Sequence, residues 1–394
     1  MSISKHSDAD GAPLRDRRSL RPRQVLGLLP RYAAGKPPVA LDGIQGYKLS
    51  SNENALPPLE VVREAIIEQS LSVNRYPDPA TTTLRAELAC VLDVPAEDIV
   101  TGAGSLGALN QILAAFAGQN DFDAPDEVIY PWRSFEAYPI CIGLAGARGM
   151  PVPLCADGTH DLDAMSEAVT DRTRVILLCT PNNPTGPALG ADAVDAFLAR
   201  IPPHIVIVLD EAYQEFVRDR FAVDGRDIYR SHPNLVVLRT FSKAHGLAGL
   251  RVGYSLSQQV LSAHLRLTAV PFAVSQVAEH AAVASLRHLP EVLERVQGIV
   301  AERDRVTTAL AALGWDIPSA EGNFVWLPLA ADTDGFAAIA ARHGLALRAF
   351  SGDGVRVSIG EPEANSRFIE LCAAYYCRKA TNFPAEIGRA EPTV

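Results

Sequence analysis

The chain has 394 residues, of which 48% are hydrophobic and 21% are charged, and its formal net charge is −10. This length exceeds one ordinary compact domain and supplies apolar residues for two cores, so we expect a large and a small domain. The acidic balance argues against a nucleic-acid partner, and no apolar stretch approaches the roughly 18 residues that a membrane span requires.

The first segment, residues 1–24, is polar and rich in arginine, without the apolar run of a secretory signal. We expect it to be a flexible arm, and we expect the protein to stay in the cytoplasm. The six cysteines are scattered through apolar stretches without the spacing of a metal site. This pattern predicts reduced, buried thiols and no bound metal.

Apolar runs and helical stretches then alternate along the chain. Apolar residues at helical spacing predict helices over residues 59–69, 82–92, 105–117 and 191–200. Short runs rich in branched residues predict strands over residues 98–101, 127–130, 174–180, 205–210, 235–239 and 251–255. This alternation is typical of an α/β domain with a mainly parallel sheet covered on both faces, which we place at residues 59–289.

From about residue 290 the pattern changes. A long helix is predicted over residues 291–313, followed by a strand at 324–327, a helix at 335–343, a strand at 354–359 and a last helix to about residue 379. We therefore expect a smaller α+β domain over residues 290–379, with a loose tail at 380–394.

The segment after the strand at 235–239 carries the strongest chemical signal. Lys243 comes just after the two hydroxyl residues Thr240 and Ser242, and Arg251 follows eight positions later in a glycine-rich setting. A pyridoxal-phosphate enzyme needs an amine for a Schiff base, and hydroxyls and a guanidinium for the phosphate. Taken alone, the segment also fits a surface lysine on a loop.

Two further strand ends carry polar residues. Asp210 ends a near-continuous apolar strand, where an acid is costly unless it meets a positive partner such as a protonated pyridine nitrogen. It could equally cap the next helix. Asn183 lies in the rigid turn at residues 178–186, where its amide can donate to a phenolate-like oxygen, although a plain turn also explains this pattern.

Together, these three strand ends resemble the fold type I pyridoxal-phosphate-dependent aminotransferases, from about residue 30 onward. The resemblance implies the PLP-transferase fold, with a mainly parallel seven-stranded sheet and a smaller α+β domain. It implies that Lys243 carries pyridoxal 5'-phosphate as a Schiff base and acts as general acid and base, that Asp210 pairs with the pyridine nitrogen, and that Asn183 and Tyr213 hold the ring oxygen. The implied phosphate ligands are Thr240, Ser242, Arg251 and the turn that carries Ser105 and Leu106, where free N–H groups at a helix start can bind an anion.

The resemblance extends the site further. It implies that Phe135 stacks on the cofactor ring, that Arg356 and Asn183 bind the substrate, and that Tyr76 reaches the phosphate of a neighbouring subunit. It also implies that Tyr32 lines the substrate pocket from the other subunit. The active unit would then be a homodimer with shared active sites. Residues 25–58 are expected to form an N-terminal segment that contributes to the small domain and to the dimer contact. Without the family, Phe135 would be read as a core aromatic and Arg356 as a solvated arginine.

The implied activity is transfer of an amino group between an amino acid and a 2-oxo acid in a ping-pong cycle. Residues 49–54, 75–78 and 356–360 resemble the histidinol-phosphate aminotransferase branch, whereas residues 132–139 and 56–59 resemble the actinobacterial aromatic or phenylalanine aminotransferases. The second resemblance favours phenylalanine, tyrosine or tryptophan as donor and 2-oxoglutarate as acceptor. Arg348 stands where the histidinol-phosphate enzymes bind the substrate phosphate, but aromatic members can keep it too, so histidinol phosphate remains the alternative.

Two other functions occur among proteins with this fold. The same fold hosts pyridoxal-phosphate decarboxylases and lyases, which one sequence does not separate from aminotransferases. A pyridoxal-phosphate-dependent transcription regulator would need a DNA-binding domain, for which the N-terminal arm is too short and the charge too acidic.

Overall fold

The computed structural model describes residues 22–118 and 124–381. The predicted arm at 1–24 and tail at 380–394 fall almost entirely outside these ranges. The strands are β1 (Tyr47–Lys48), β2 (Ile99–Gly102), β3 (Glu127–Trp132), β4 (Arg148–Pro153), β5 (Thr173–Cys179), β6 (Val206–Asp210), β7 (Leu235–Thr240), β8 (Gly253–Leu256), β9 (Phe324–Leu327), β10 (Leu345–Ala346), β11 (Arg348–Phe350) and β12 (Gly354–Ser358).

The α-helices of the described ranges follow in chain order. They are α1 (Glu60–Ser70), α2 (Thr82–Leu92), α3 (Gly104–Phe116), α4 (Tyr138–Ala145), α5 (Leu162–Glu167), α6 (Ala191–Arg200), α7 (Gly225–Ile228), α8 (Gln259–Leu267), α9 (Gln276–Arg287), α10 (Leu289–Ala312), α11 (Thr333–Arg342) and α12 (Pro362–Thr381). In the ranges that the structure covers, none of them combines the length and apolarity that crossing a bilayer would take.

The large sheet has seven strands in the order β2-β8-β7-β6-β5-β3-β4. The pairs from β4 through β7 are parallel, and β8 runs antiparallel to both β7 and β2. The fold prediction is therefore confirmed: the chain has a mainly parallel seven-stranded sheet wrapped by helices. In such a sheet the carboxyl ends of β5, β6 and β7 meet at one edge, where ligands bind.

The sheet is buried on both faces, as its branched apolar strands require. Along β6, Ile207 and Leu209 face a core that includes α1, α2, α6 and α9, whereas Val206 and Val208 face a core that includes α3, α4 and α8. This two-sided burial fixes the strand positions, and hence the positions of the side chains that follow them.

Several elements differ from the prediction. Strand β4 was missed because its sequence contains Pro151 and Pro153, which an edge strand tolerates. Helix α4 was missed because it is apolar on nearly all sides and shows no helical periodicity. The strand predicted from residue 251 begins at Gly253, since Arg251 has a left-handed φ of 54°.

A second, smaller sheet has the antiparallel order β11-β12-β9, and β1 pairs with β10. Its core joins Leu49 from the N-terminal segment to Val306, Phe336 and Phe368 of α10, α11 and α12. The N-terminal half of α10 packs instead on Tyr213 and Phe324, between the two sheets. The division into domains at residue 290 stays a prediction.

The cysteines correct one expectation. Cys141, Cys179 and Cys372 are buried free thiols, but Cys90 and Cys155 are exposed. Cys90 lies on the partly solvent-facing side of α2, which apolar sequence context alone does not reveal.

Candidate active site

A cavity of about 470 Å³ lies at the carboxyl ends of β5, β6 and β7, between the large sheet and the β11-β12-β9 sheet. It brings together most of the residues that the sequence singled out. They are Tyr32, Ser105, Leu106, Phe135, Asn183, Asp210, Tyr213, Thr240, Ser242, Lys243, Arg251 and Arg356.

Lys243 lies just past the end of β7. Its Nζ donates to the backbone carbonyls of Ser51 at 3.3 Å and Asn52 at 3.2 Å, and lies 5.5 Å from the centre of the Tyr213 ring. Loss of water in the cavity, with the positive charge of Arg356 nearby, lowers the pKa of Lys243 to about 7. A substantial fraction of this amine is therefore neutral at neutral pH, as a nucleophile or base must be.

Asp210 ends β6 with one satisfied and one unsatisfied oxygen. Its Oδ2 accepts from the Tyr138 hydroxyl at 2.9 Å, whereas Oδ1 is buried and finds no hydrogen-bond donor within the described residues. Burial raises the pKa of Asp210 to about 6. A buried acceptor without a donor is costly, so a ligand that donates a proton at this oxygen fits the site. The protonated ring nitrogen of pyridoxal phosphate is such a donor.

The far wall of the cavity forms an anion cradle. Helix α3 begins there at Gly104, so the N–H groups around Ser105 and Leu106 lack partners within the helix. A side chain on Gly104, whose φ is +74°, would collide with the Arg251 guanidinium. A Cβ on Gly253 would lie 2.5 Å from the Ser105 nitrogen. Gly104 leaves room for the Arg251 guanidinium beside the helix start, and Gly253 lets β8 approach the first residues of α3 closely, so a phosphate fits there.

The hydroxyls beside this cradle are held in place by each other. Thr240 Oγ1 donates to Ser242 Oγ at 3.0 Å and accepts from the Ser242 backbone nitrogen at 3.1 Å. Both residues line the same cavity as Lys243 and Arg251. The tight turn therefore presents two hydroxyls and the lysine to one volume.

The middle of the cavity is lined by Phe135, Asn183 and Tyr213. The buried Tyr213 hydroxyl accepts from Asn52 Nδ2 at 2.9 Å, which leaves its own proton available to a ligand. Burial raises the pKa of Tyr213 above its usual value, so the hydroxyl stays protonated at neutral pH. Phe135 packs edge-on against Tyr138, with ring centres 5.6 Å apart, and supplies an apolar wall.

Arg356, on β12, is the buried cation at the opposite end. Its Nη1 donates to Asn183 Oδ1 at 2.5 Å and Nη2 donates to the Ser50 carbonyl at 2.8 Å. Nε is buried without an acceptor among the residues described. Both partners are uncharged, and desolvation lowers the Arg356 pKa below its usual value. A carboxylate would supply the missing counter-charge.

Sequence reasoning missed several supporting residues. Tyr138 and Asn52 lie within segments that the sequence singled out, but neither received a role. Asn52 has a left-handed φ of 51°, and its side chain links Tyr213 to Ser358, whose Oγ donates to Asn52 Oδ1 at 2.9 Å. Strain at a non-glycine residue beside a site is a signal that only the structure reveals.

The turn that presents Asn183 is held by its neighbour Asn182. Asn182 Oδ1 accepts from Ser134 Oγ at 2.8 Å, and Nδ2 donates to Thr185 Oγ1 at 2.7 Å and to the Arg133 carbonyl at 3.1 Å. These bonds join the Asn183 turn to the loop that carries Phe135. The two cavity walls are thus fixed relative to each other.

The family resemblance assigns two residues, Tyr76 and Tyr32, to the active site of the neighbouring subunit, and the structure shows a different position for each of them relative to the cavity of its own chain. Tyr76 is 82% exposed and stacks on Phe272 of its own chain, with ring centres 4.7 Å apart, away from the cavity. Tyr32 was expected from the other subunit, but the structure places it at the cavity of its own chain. The reason is that the N-terminal segment folds back on α4, where Leu29 covers Gly143 and Arg23 Nη1 donates to the Leu144 carbonyl at 2.9 Å.

Comparisons with known proteins show the family to which the chain is similar. The family model described as aminotransferase class I and II matches residues 44–371. An aromatic amino acid aminotransferase of Streptomyces coelicolor is 51% identical over 349 residues, which cover 89% of this chain and 96% of that relative. An aromatic amino acid aminotransferase of Thermobifida fusca is 50% identical over 353 residues, covering 90% of this chain and 96% of the relative.

Solved structures share the fold. The histidinol-phosphate aminotransferase of Sinorhizobium meliloti in complex with pyridoxal-5'-phosphate has a TM-score of 0.74 at 27% identity, covering 84% of this chain and 91% of that one. A single mutant of the aspartate aminotransferase of Thermus thermophilus has a TM-score of 0.72 at 22% identity, covering 84% and 92%.

Proposed function

The chain belongs to the class I and II aminotransferase family and is a pyridoxal-phosphate-dependent transaminase, and from this premise we propose that its amino donor is an aromatic L-amino acid and its acceptor 2-oxoglutarate. The observation that carries the site assignment is the unpaired Asp210 Oδ1, which shares one cavity with the Lys243 amine and the Arg356 guanidinium.

We assign the cofactor ligands on the donors and acceptors that face the cavity. Asp210 Oδ1 would accept from the ring nitrogen, and Asn183 and Tyr213 would bind the ring oxygen. Thr240, Ser242, Arg251, Ser105 and Leu106, which all line the cavity, would hold the phosphate, and Phe135 would cover the ring. When bound, pyridoxal phosphate supplies an electron-withdrawing ring that stabilises negative charge at the substrate α-carbon.

Lys243 holds the cofactor and then moves the proton. Its lowered pKa leaves a neutral amine that can accept the proton of the substrate α-carbon at neutral pH. Arg356 binds the α-carboxylate with two parallel hydrogen bonds, which turns the α-hydrogen toward Lys243. Asn183, bonded to Arg356, links the carboxylate site to the ring site.

The aromatic donor is favoured by the substrate end of the cavity. The Phe350 ring lies 5.9 Å from the Arg356 guanidinium, and Tyr32 also lies near Arg356, so both supply aromatic surface there. Ile140 and Leu144 add apolar surface to the cavity wall. The relatives at about 50% identity carry the name aromatic amino acid aminotransferase. Arg348 is the feature that favours histidinol phosphate instead, but its guanidinium is paired with the Glu136 carboxylate.

We also propose that two chains form the active unit. Tyr76 lies among exposed apolar side chains that a partner would cover, including Val73, Val270 and Phe272. In that arrangement the Tyr76 hydroxyl binds the partner's cofactor phosphate. Light scattering of the holoenzyme and cofactor titration of Tyr76→Phe test this: a dimer with weakened cofactor binding supports it, and a monomer contradicts it.

The test of the function is a half-reaction titration. Phenylalanine, tyrosine, glutamate and histidinol phosphate are added in turn to the holoenzyme while the visible band of the bound cofactor is recorded. Conversion by the aromatic amino acids and glutamate, at lower concentration than by histidinol phosphate, supports the proposal. Conversion by histidinol phosphate at much lower concentration contradicts the aromatic donor.

A further inference from the structure

Glu136 and Arg348 form an ion pair inside the cavity that no step of the proposed reaction uses. Arg348 Nη2 donates to Glu136 Oε2, and both residues line the cavity at its substrate end. Only 11% of the Arg348 side chain and 26% of the Glu136 side chain are exposed. The pair is therefore partly desolvated, where a charge without its counter-charge is costly.

Three separate parts of the chain meet at this pair. Glu136 comes from the loop after β3, and Arg348 begins β11. Arg348 Nη1 also donates to the Ala34 carbonyl at 3.3 Å, in the N-terminal segment that carries Tyr32. Its guanidinium lies 5.3 Å from the centre of the Phe350 ring. Arg348 is thus held toward the cavity by contacts on several sides.

Because Arg348 is paired with Glu136, only Arg356, of the described residues that line this end of the cavity, offers an uncompensated positive charge to a substrate. Arg356 is hydrogen-bonded only to uncharged groups and has charge left for one carboxylate, whereas Arg348 is already neutralised by Glu136. An amino acid with an uncharged side chain leaves the pair intact. A second anionic group on the substrate can reach Arg348 only by displacing Glu136.

We propose that Glu136 is a specificity-determining residue that competes with anionic substrate side chains for Arg348. By occupying Arg348, it keeps the side-chain end of the cavity electrically neutral for an aromatic donor. Side chains with a carboxylate or phosphate, that of the acceptor 2-oxoglutarate included, reach Arg348 only at the cost of displacing Glu136. This inference rests on the proposed transaminase function and names how that site selects its substrate.

The test removes the negative charge of Glu136 while keeping the size and shape of its side chain. In Glu136→Gln, Arg348 loses its carboxylate partner and becomes available to an anionic side chain. We expect kcat/KM for glutamate and for histidinol phosphate to rise about tenfold relative to that for phenylalanine. The ratio of two substrates within one variant does not depend on how much of the protein is folded.

Two further variants make the test specific. In Glu136→Gln combined with Arg348→Gln, the gain for anionic substrates disappears if it passes through Arg348. Asp353→Asn is the matched control, because Asp353 accepts from Arg133 Nε at 2.5 Å and joins the same loop to the β11-β12 hairpin. Within the described part of the chain, neither Arg133 nor Asp353 lines the cavity, so this substitution leaves the ratio unchanged.

An unchanged ratio in Glu136→Gln overturns the inference, as does a gain that persists in the double variant or appears equally in Asp353→Asn. These failures are distinct from failure of the proposed function, which would show as the lack of phenylalanine conversion by the unsubstituted enzyme.

Discussion

The two ends of the cavity are built in different ways. At the cofactor end, Lys243 and Asp210 follow adjacent parallel strands, β7 and β6, and one Asp210 oxygen has no donor within the described residues. At the substrate end, Arg348 and Glu136 come from distant parts of the chain and satisfy each other. The first end therefore offers a ligand an unsatisfied acceptor, whereas at the second end an anionic ligand must separate an existing ion pair.

The contrast between the two ends of the cavity depends most strongly on Lys243, which we expect to be essential for activity. We expect Lys243→Ala to lower the transamination rate at least about 10³-fold, because the cavity loses its amine base and its tether for the cofactor. Stopped-flow conversion of phenylalanine measures this. Lys48→Ala is the control, since Lys48 is half exposed and paired with Glu53, and it should keep the full rate. A comparable loss in both variants would contradict the assignment.

Asp210→Asn tests the unsatisfied oxygen. We expect kcat to fall about 10²–10³-fold, because an amide cannot hold a positive charge on the ring nitrogen. Asp98→Asn is matched, since Asp98 is also buried and accepts from a tyrosine hydroxyl, that of Tyr229, at 3.0 Å. Asp98 lies at the edge of the large sheet opposite the cavity. Its substitution should therefore lower stability without changing kcat per bound cofactor. Equal kcat values for the two variants would refute the special role of Asp210.

Arg356→Lys tests whether the guanidinium binds the substrate carboxylate at the substrate end of the cavity. Lysine keeps the charge but loses the two parallel donors, so we expect KM for phenylalanine to rise about tenfold or more, with a smaller change in kcat. Steady-state kinetics separate the two constants. Arg133→Lys, outside the cavity, serves as control and should leave KM within about twofold. A fall in kcat alone would place Arg356 elsewhere in the reaction.

The smallest expected effect concerns stability without cofactor. The Lys243 pKa is about 7 in the folded chain and 10.5 when unperturbed, so below pH 10.5 the unfolded chain binds more protons at this site. Folding is therefore penalised increasingly as pH falls from 10.5 to about 7, and the penalty is constant below that. Lys243→Met should raise the melting temperature of the apoprotein by about 4 °C at pH 7, and by less at pH 9.5. A pH-independent difference between the variants would contradict the shifted pKa.

The contrast between the cofactor end and the substrate end also explains which site residues could be predicted from the sequence. Lys243, Asp210 and Asn183 each follow an apolar strand, so local pattern predicts both their positions and their convergence at one sheet edge. The Arg348–Glu136 pair joins residues 212 positions apart, and no local pattern predicts it. The left-handed Asn52 and the Tyr138 donor to Asp210 also depend on tertiary packing.

The fold could likewise be predicted only where a local sequence pattern determines an element. Strands with continuous branched residues were predicted correctly, and the family resemblance supplied the strand count. Strand β4 contains two prolines and is stabilised by its pairing with β3, which sequence periodicity does not register. The position of Tyr32 likewise follows from packing of the N-terminal segment on α4.

The most direct test of the central claim is to locate the cofactor on the chain. Borohydride reduction of the holoenzyme, tryptic digestion and mass spectrometry should find one pyridoxyl group on Lys243, within the peptide of residues 240–251 that follows Arg239 and ends at Arg251. A pyridoxyl group on Lys5, Lys36, Lys48 or Lys379 instead, or on no lysine, would contradict the account of the cofactor end.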